Sequence, residues 1–184
     1  CDVSSDQVFR AAGTTLDEMR RLADRGTAVT NAASGAARLV REAYERGEVD
    51  GVLGLGGSAG TTIGTTAMRG LPIGVPKLMV STLASGQVRQ YVADKDILML
   101  NSVVDLAGIN RISRRVLTNA AAAMAGMLQL AEVDAAEDRP LIAATMFGVT
   151  TPCVQHARKI LEAAGYEVLV FHATGNGGQA MESL

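Results

Sequence analysis

Cysteine, proline, histidine and aromatic side chains are all scarce in this sequence of 184 residues, and neither sign of charge prevails. The two cysteines, Cys1 and Cys153, cannot furnish a disulfide framework, which points to a reducing, cytoplasmic setting. Four prolines beside 20 glycines exclude a disordered Pro/Gly tract. With no Trp, three Phe and three Tyr, nothing offers a stacking platform for nucleic-acid bases. The net charge of −2 gives no general attraction to nucleic acid or to an anionic membrane surface. No uncharged run is long and apolar enough to span a bilayer, and no secretory signal opens the chain. An initiator Met is also missing, and Glu182-Ser183-Leu184 falls where a helix is beginning, so a fragment of a longer protein is expected.

What is abundant is glycine, and its placement carries the reading. Helical periodicity covers about Asp17 to Arg25 and about Thr30 to Arg46, with Gly47 as a stop signal. The uncharged run Gly51 to Leu55 reads as a strand buried on both faces. It leads into Gly56-Gly57-Ser58-Ala59-Gly60-Thr61-Thr62 and a helix to about Met68. Strand-like runs follow at Lys77 to Ser81 and Asp96 to Leu100, then a long Ala-rich helix from Arg111 to Glu132. The charged patch Glu132 to Arg139 marks a boundary between a first lobe, 1–135, and the start of a second, 136–184. The second continues as strand (Leu141 to Met146), helix (Thr151 to Ala164), strand (Glu167 to Phe171) and another glycine turn. This alternation predicts an α/β fold with parallel sheets, its turns sharing the carboxyl edge. Gly54 to Ala59 and Gly175 to Ala180 both fit G-x-G-x-x-A, an internal echo of two similar units.

A strand-to-helix turn of this kind suits an anion. Glycine permits positive φ and lets phosphate oxygens reach backbone N–H groups, and the helix N-terminus adds partial positive charge. Ser58, Thr61 and Thr62 are candidate hydroxyl donors, as are Thr174 and Asn176 in the second turn. Without a lysine after Gly60 the first turn is not a standard P-loop. A dinucleotide site places an acidic residue about 20 positions beyond its glycines; Ser81-Thr82 stands there instead, against a nicotinamide cofactor.

Other residues are open to two readings. Ser85, Gly86 and Arg89 fit phosphate or ribose contact, or a helix cap with a surface arginine. Asp105 is a candidate magnesium ligand or a capping residue. Cys153, in the first turn of a helix behind Thr150-Thr151-Pro152, is a candidate nucleophile with His172 as its partner, or a small apolar filler. That pair, or a magnesium-assisted centre, would make the protein an enzyme acting on a phosphorylated or acyl small molecule. Ala and Met on helix faces suit packing on a sheet, and also a helix-mediated dimer.

Four segments together carry a family likeness: Gly70 to Thr82, Ser102 to Arg114, Ala144 to Cys153, and Phe171 to Gly175. They resemble a bacterial and plant family that includes the ATP-binding N-terminal domain of the tomato mosaic virus resistance protein. The resemblance implies two Rossmann-like lobes, ATP as ligand, and a homodimer; magnesium would accompany the phosphates if Asp105 is its ligand. It places ATP contacts at Gly56, Gly57, Ser58, Gly60, Thr61 and Thr62, then at Ser85, Gly86 and Arg89, and then at Gly175, Gly177 and Gly178. Ala59 departs from the glycine expected in that turn.

Overall fold

A computed structural model describes residues 2–129 and 139–183. The chain forms two compact units, Cys1–Leu130 and Ala131–Leu184. The lobe boundary read at 135/136 and the last residues of the Ala-rich helix lie outside the described residues.

The first unit opens with three helices whose starts are set by side-chain caps. In α1 (Ser5–Ala11) and α2 (Leu16–Leu22), Ser4 with Gln7 and Thr15 with Glu18 form reciprocal capping boxes. Asp24 caps α3 (Arg25–Glu45), accepting from the backbone N–H groups of Gly26 and Thr27. The Thr27 hydroxyl bonds the same carboxylate, and these bonds hold the Asp24 carboxyl below its ordinary value. Helix α1 is absent from the sequence reading. It crosses α3 so closely that a Cβ on Gly35 would lie 1.9 Å from the Val8 carbonyl oxygen.

Three parallel strands follow, β1 (Val52–Gly56), β2 (Lys77–Ser81) and β3 (Leu98–Asn101), in spatial order β1-β2-β3. Helix α4 (Ser58–Arg69) joins β1 to β2, and the four-residue α5 (Arg89–Val92) lies between β2 and β3. Every residue of β2 is buried, as a central parallel strand requires. Leu78 and Val80 point to α6 (Arg111–Gln129), where Ala120 and Met124 complete a core with Leu100, Val116, Leu117 and Met127 packed on it. Met79 points the other way, against α4. Added Cβ atoms on Gly54 and Gly64 would meet its sulfur at 2.5 and 2.9 Å, so small residues admit a large one here. Burial of Leu78, Met79 and Val80 stabilises the unit by about 1.5–3 kcal/mol per side chain.

Strand β1 corrects the expectation of burial on both faces. Leu53 and Leu55 are 40% and 52% exposed. Their register partners Leu78 and Val80 sit under α6, but β1 is an edge strand among the described residues and α6 packs over β2.

At the opposite, amino edge of the sheet Lys77 is fully buried. Its ammonium donates to the Pro72 carbonyl (2.7 Å), the Val75 carbonyl (2.9 Å) and Asp96 Oδ1 (2.7 Å). Asp96 Oδ2 accepts from the Gly74 N–H at 2.8 Å. Burial pushes the Asp96 carboxyl up, but the Lys77 and Gly74 hydrogen bonds and the Lys77 charge outweigh it and hold the carboxyl below its ordinary value.

The second unit pairs β4 (Leu141–Met146) with β5 (Glu167–His172) in parallel. Helix α7 (Thr151–Ala163) crosses between them after a 3₁₀ turn at Gly148–Thr150, and α8 (Gly177–Glu182) follows β5. Both units are thus α/β with parallel sheets. No helix among the described residues is long and apolar enough to cross a membrane.

Candidate functional site

The carboxyl edge of the first sheet gathers three strand ends, and the first glycine turn lies on it. Gly57 is the N-cap of α4 and lends no side-chain hydrogen bond to the helix start. The first bond into that turn is Thr61 N–H to Gly57 O at 2.8 Å, which leaves the N–H groups of Ser58, Ala59 and Gly60 pointing out of the helix end. None of Gly56, Gly57 and Gly60 has positive φ, so the expectation that this turn needs glycine for its backbone conformation is corrected. Their reason is proximity. A Cβ on Gly56 would lie 2.6 Å from Gly60 Cα, and one on Gly60 would lie 3.3 Å from the Leu55 carbonyl oxygen. Gly57 differs, because a Cβ there meets only Thr82 Oγ1, at 3.6 Å. Packing therefore explains Gly56 and Gly60, while Gly57 leaves the mouth of the turn open.

The hydroxyls of this turn divide. Ser58 is exposed at the helix start. Thr62 bonds back to the Ser58 carbonyl at 3.0 Å and lines a polar groove with Thr66, Arg69 and Tyr91 along α4. Thr61 corrects its assignment as a phosphate donor. It is fully buried, and its hydroxyl pairs with Ser81 Oγ at 2.6 Å, tying the helix to the end of β2.

Two cavities adjoin the turn. One, of about 350 Å³, is lined by Leu55, Gly56, Gly57, Asp105, Ile109 and Leu117 among others. The other, of about 250 Å³, is lined by Thr82, Asn101, Ser102, Val103, Val104 and Asp105. Asp105 borders both, and one of its oxygens accepts from the Leu106 N–H at 2.8 Å. Among the described residues no group of three acidic, His or Cys side chains could hold a metal unaided, so a magnesium ion here would need oxygens from its ligand. Ser85, Gly86 and Arg89 are exposed and line neither cavity; Arg89 begins α5.

The loop after β3 is strained. Val103 has φ of +65°, and the Val104 N–H donates to the Ser102 carbonyl at 2.7 Å, closing a left-handed γ-turn around it. A β-branched residue in this region costs about 1–3 kcal/mol. Surrounding bonds enforce it: Ser102 N–H donates to the Ser81 carbonyl (3.1 Å), Ser102 Oγ to the Val104 carbonyl (2.7 Å), and Val103 N–H to Asn101 Oδ1 (3.1 Å).

In the second unit Cys153 is exposed in the first turn of α7. No hydrogen bond joins it to His172 among the described residues; the His172 ring packs on Phe147 with centroids 5.6 Å apart. The thiol–imidazole pair of the enzyme reading is not formed. In the second glycine turn Gly175 takes positive φ (+74°), and a Cβ on Gly177 would fall 1.8 Å from the His172 carbonyl oxygen, so Gly177 serves helix–strand packing. Gly178 faces open space. Thr82 lines the second cavity and falls in the polar turn after β2 that the sequence offers for phosphate or ribose contact. Asn101, which ends β3, and Ser102 and Val103, which follow it, line the same cavity without having been singled out in the sequence, although the α/β carboxyl edge collects ligands.

Residues 1–133 match the N-terminal domain of the uncharacterised protein family UPF0261, and residues 139–184 match its C-terminal domain. The chain belongs to the UPF0261 family. A UPF0261 protein of Clostridium tetani is 47% identical over 100% of this chain and 45% of its own length. A second, of Rhizobium meliloti, is 51% identical over 88% of this chain and 39% of its own length. The ToMV resistance protein Tm-1 of Solanum lycopersicum is 44% identical over 87% of this chain and 22% of its own length. The chain thus spans less than half the length of these relatives.

Proposed function

We propose that the first unit binds a nucleotide, ATP, at the carboxyl edge of its sheet, with the triphosphate on the turn from Gly57 to Gly60. The observation that carries this reading is the open mouth at Gly57. Three outward N–H groups and the positive end of a 12-residue helix adjoin a cavity of about 350 Å³. The apolar stretch of that cavity, Leu55, Ile109 and Leu117, excludes water from one side of the ligand and strengthens the N–H contacts. Asp105 stands beside this turn as a negative charge. Phosphates are tolerated next to it when a magnesium ion lies between, so binding is magnesium-dependent.

The domain serves regulation or interaction rather than turnover, a reading supported by the lack of a hydrogen bond between Cys153 and His172 among the described residues. Association into a homodimer runs through α6, whose solvent side carries Ala121, Ala122, Ala125 and Leu128. Isothermal titration of the intact, full-length protein with ATP tests the ligand. Saturable binding with magnesium, weakened by EDTA, is expected. An absence of binding heat at millimolar ATP, together with unchanged melting, would reject it.

A further inference from the structure

Val103 has no rationale within the fold. Of the two other described non-glycine residues with positive φ, Ala23 closes α2 in the left-handed region common at helix ends, and Ala93 (φ 51°, ψ −115°) follows the end of α5 outside that region with a small, unbranched side chain. Val103 closes no helix, its branched side chain is the wrong shape for its φ, and 67% of its surface is exposed, so burial does not compensate. Glycine or asparagine would make the same turn with less strain. What the turn does achieve is to hold an apolar side chain on the rim of the cavity shared with Thr82, Asn101, Ser102 and Asp105.

The place of that rim matters. Strands lie about 4.8 Å apart, so the end of β3 is roughly 10 Å from the end of β1 across the carboxyl edge. A nucleotide with its phosphates at Gly57 would pass the end of β2 at Thr82 and bring its base to β3. Resting on the nucleotide reading above, we propose that Val103 is a ligand-contact residue whose side chain packs against the face of the nucleobase. Thr82 and Asn101 lie beside it as polar groups for the base edge or ribose. The strain is then the means by which a backbone turn presents an apolar surface to a ligand.

The test uses the full-length protein and two probes, ATP and inorganic tripolyphosphate, each with magnesium. Val103→Asn accepts positive φ and keeps the backbone donor; Val103→Ile keeps the apolar surface. Val103→Asn is expected to melt at or above the wild-type temperature, to bind ATP about tenfold more weakly, and to bind tripolyphosphate unchanged. Val103→Ile should retain ATP affinity. Equal ATP affinity in wild type and Val103→Asn would overturn the assignment. So would a parallel loss of both probes, which would mark Val103 as a support of the loop. If the wild-type protein bound tripolyphosphate as well as ATP, the phosphate site would stand and the base contact would fall. If it bound neither, the nucleotide reading itself would fail.

Discussion

Lys77 illustrates what one side chain contributes here. A lysine is rarely buried without partners; this one begins the central strand, fully enclosed, and ties the turn before β2 to Asp96 ahead of β3. The carboxylate is 40% exposed and the ammonium is not, so loss of the carboxylate leaves the less hydrated partner charged. Asp96→Asn should destabilise the protein by about 3 kcal/mol at neutral pH, measured by urea unfolding. The folded state holds the Asp96 carboxyl below its ordinary value, so protonation favours unfolding. The stabilisation is complete above the unfolded carboxyl value and drains as pH falls through the folded one. The difference between wild type and Asp96→Asn should therefore shrink in acid. A difference independent of pH would show that the pair does not act this way.

At the scale of elements, the turn from β1 to α4 separates glycines required by packing, Gly56 and Gly60, from Gly57, which the proposal assigns to the ligand. Gly56→Ala would force a Cβ against Gly60 Cα and should cost about 1–3 kcal/mol of stability. Gly57→Ala has room, φ of −80° and an extended ψ, so thermal unfolding should show near-normal stability while ATP binding is lost. Equal damage to stability from both substitutions would contradict this division. The elements around the turn were legible to different degrees. Alternating apolar runs and glycine turns announced the five strands of the described residues and the parallel sheets, because those signals are local. The inward turn of Thr61 was also written in the chain, as the i, i+4, i+7 spacing of Thr61, Thr65 and Met68, all buried on one face of α4. The exposure of Leu53 and Leu55 was not, since an edge strand and a central one share a composition. Nor was the site at the end of β3, which depends on which strand lies beside β2 and on a backbone turn that valine does not announce.

Across the whole chain, the two units differ in how much they enclose. The first has helices on both faces of a three-stranded sheet. The second has two strands among the described residues, with Leu141 exposed at 61%. Apolar surface is also left on α6, where small side chains would let a second helix approach closely. Sedimentation equilibrium of the full-length protein should give a dimer, and Ala122→Glu should shift it to monomer by burying a charge in the contact. A monomeric wild type, or a dimer unaffected by the substitution, would remove α6 from the interface.

ATP is proposed to sit on the N–H groups after β1, and NMR titration of the backbone amides with magnesium and ATP tests this most directly. The largest shift changes are expected at Gly57, Ser58, Ala59 and Gly60, with a second group from Asn101 to Asp105. Changes confined to other parts of the chain, or none at saturating ATP, would contradict it.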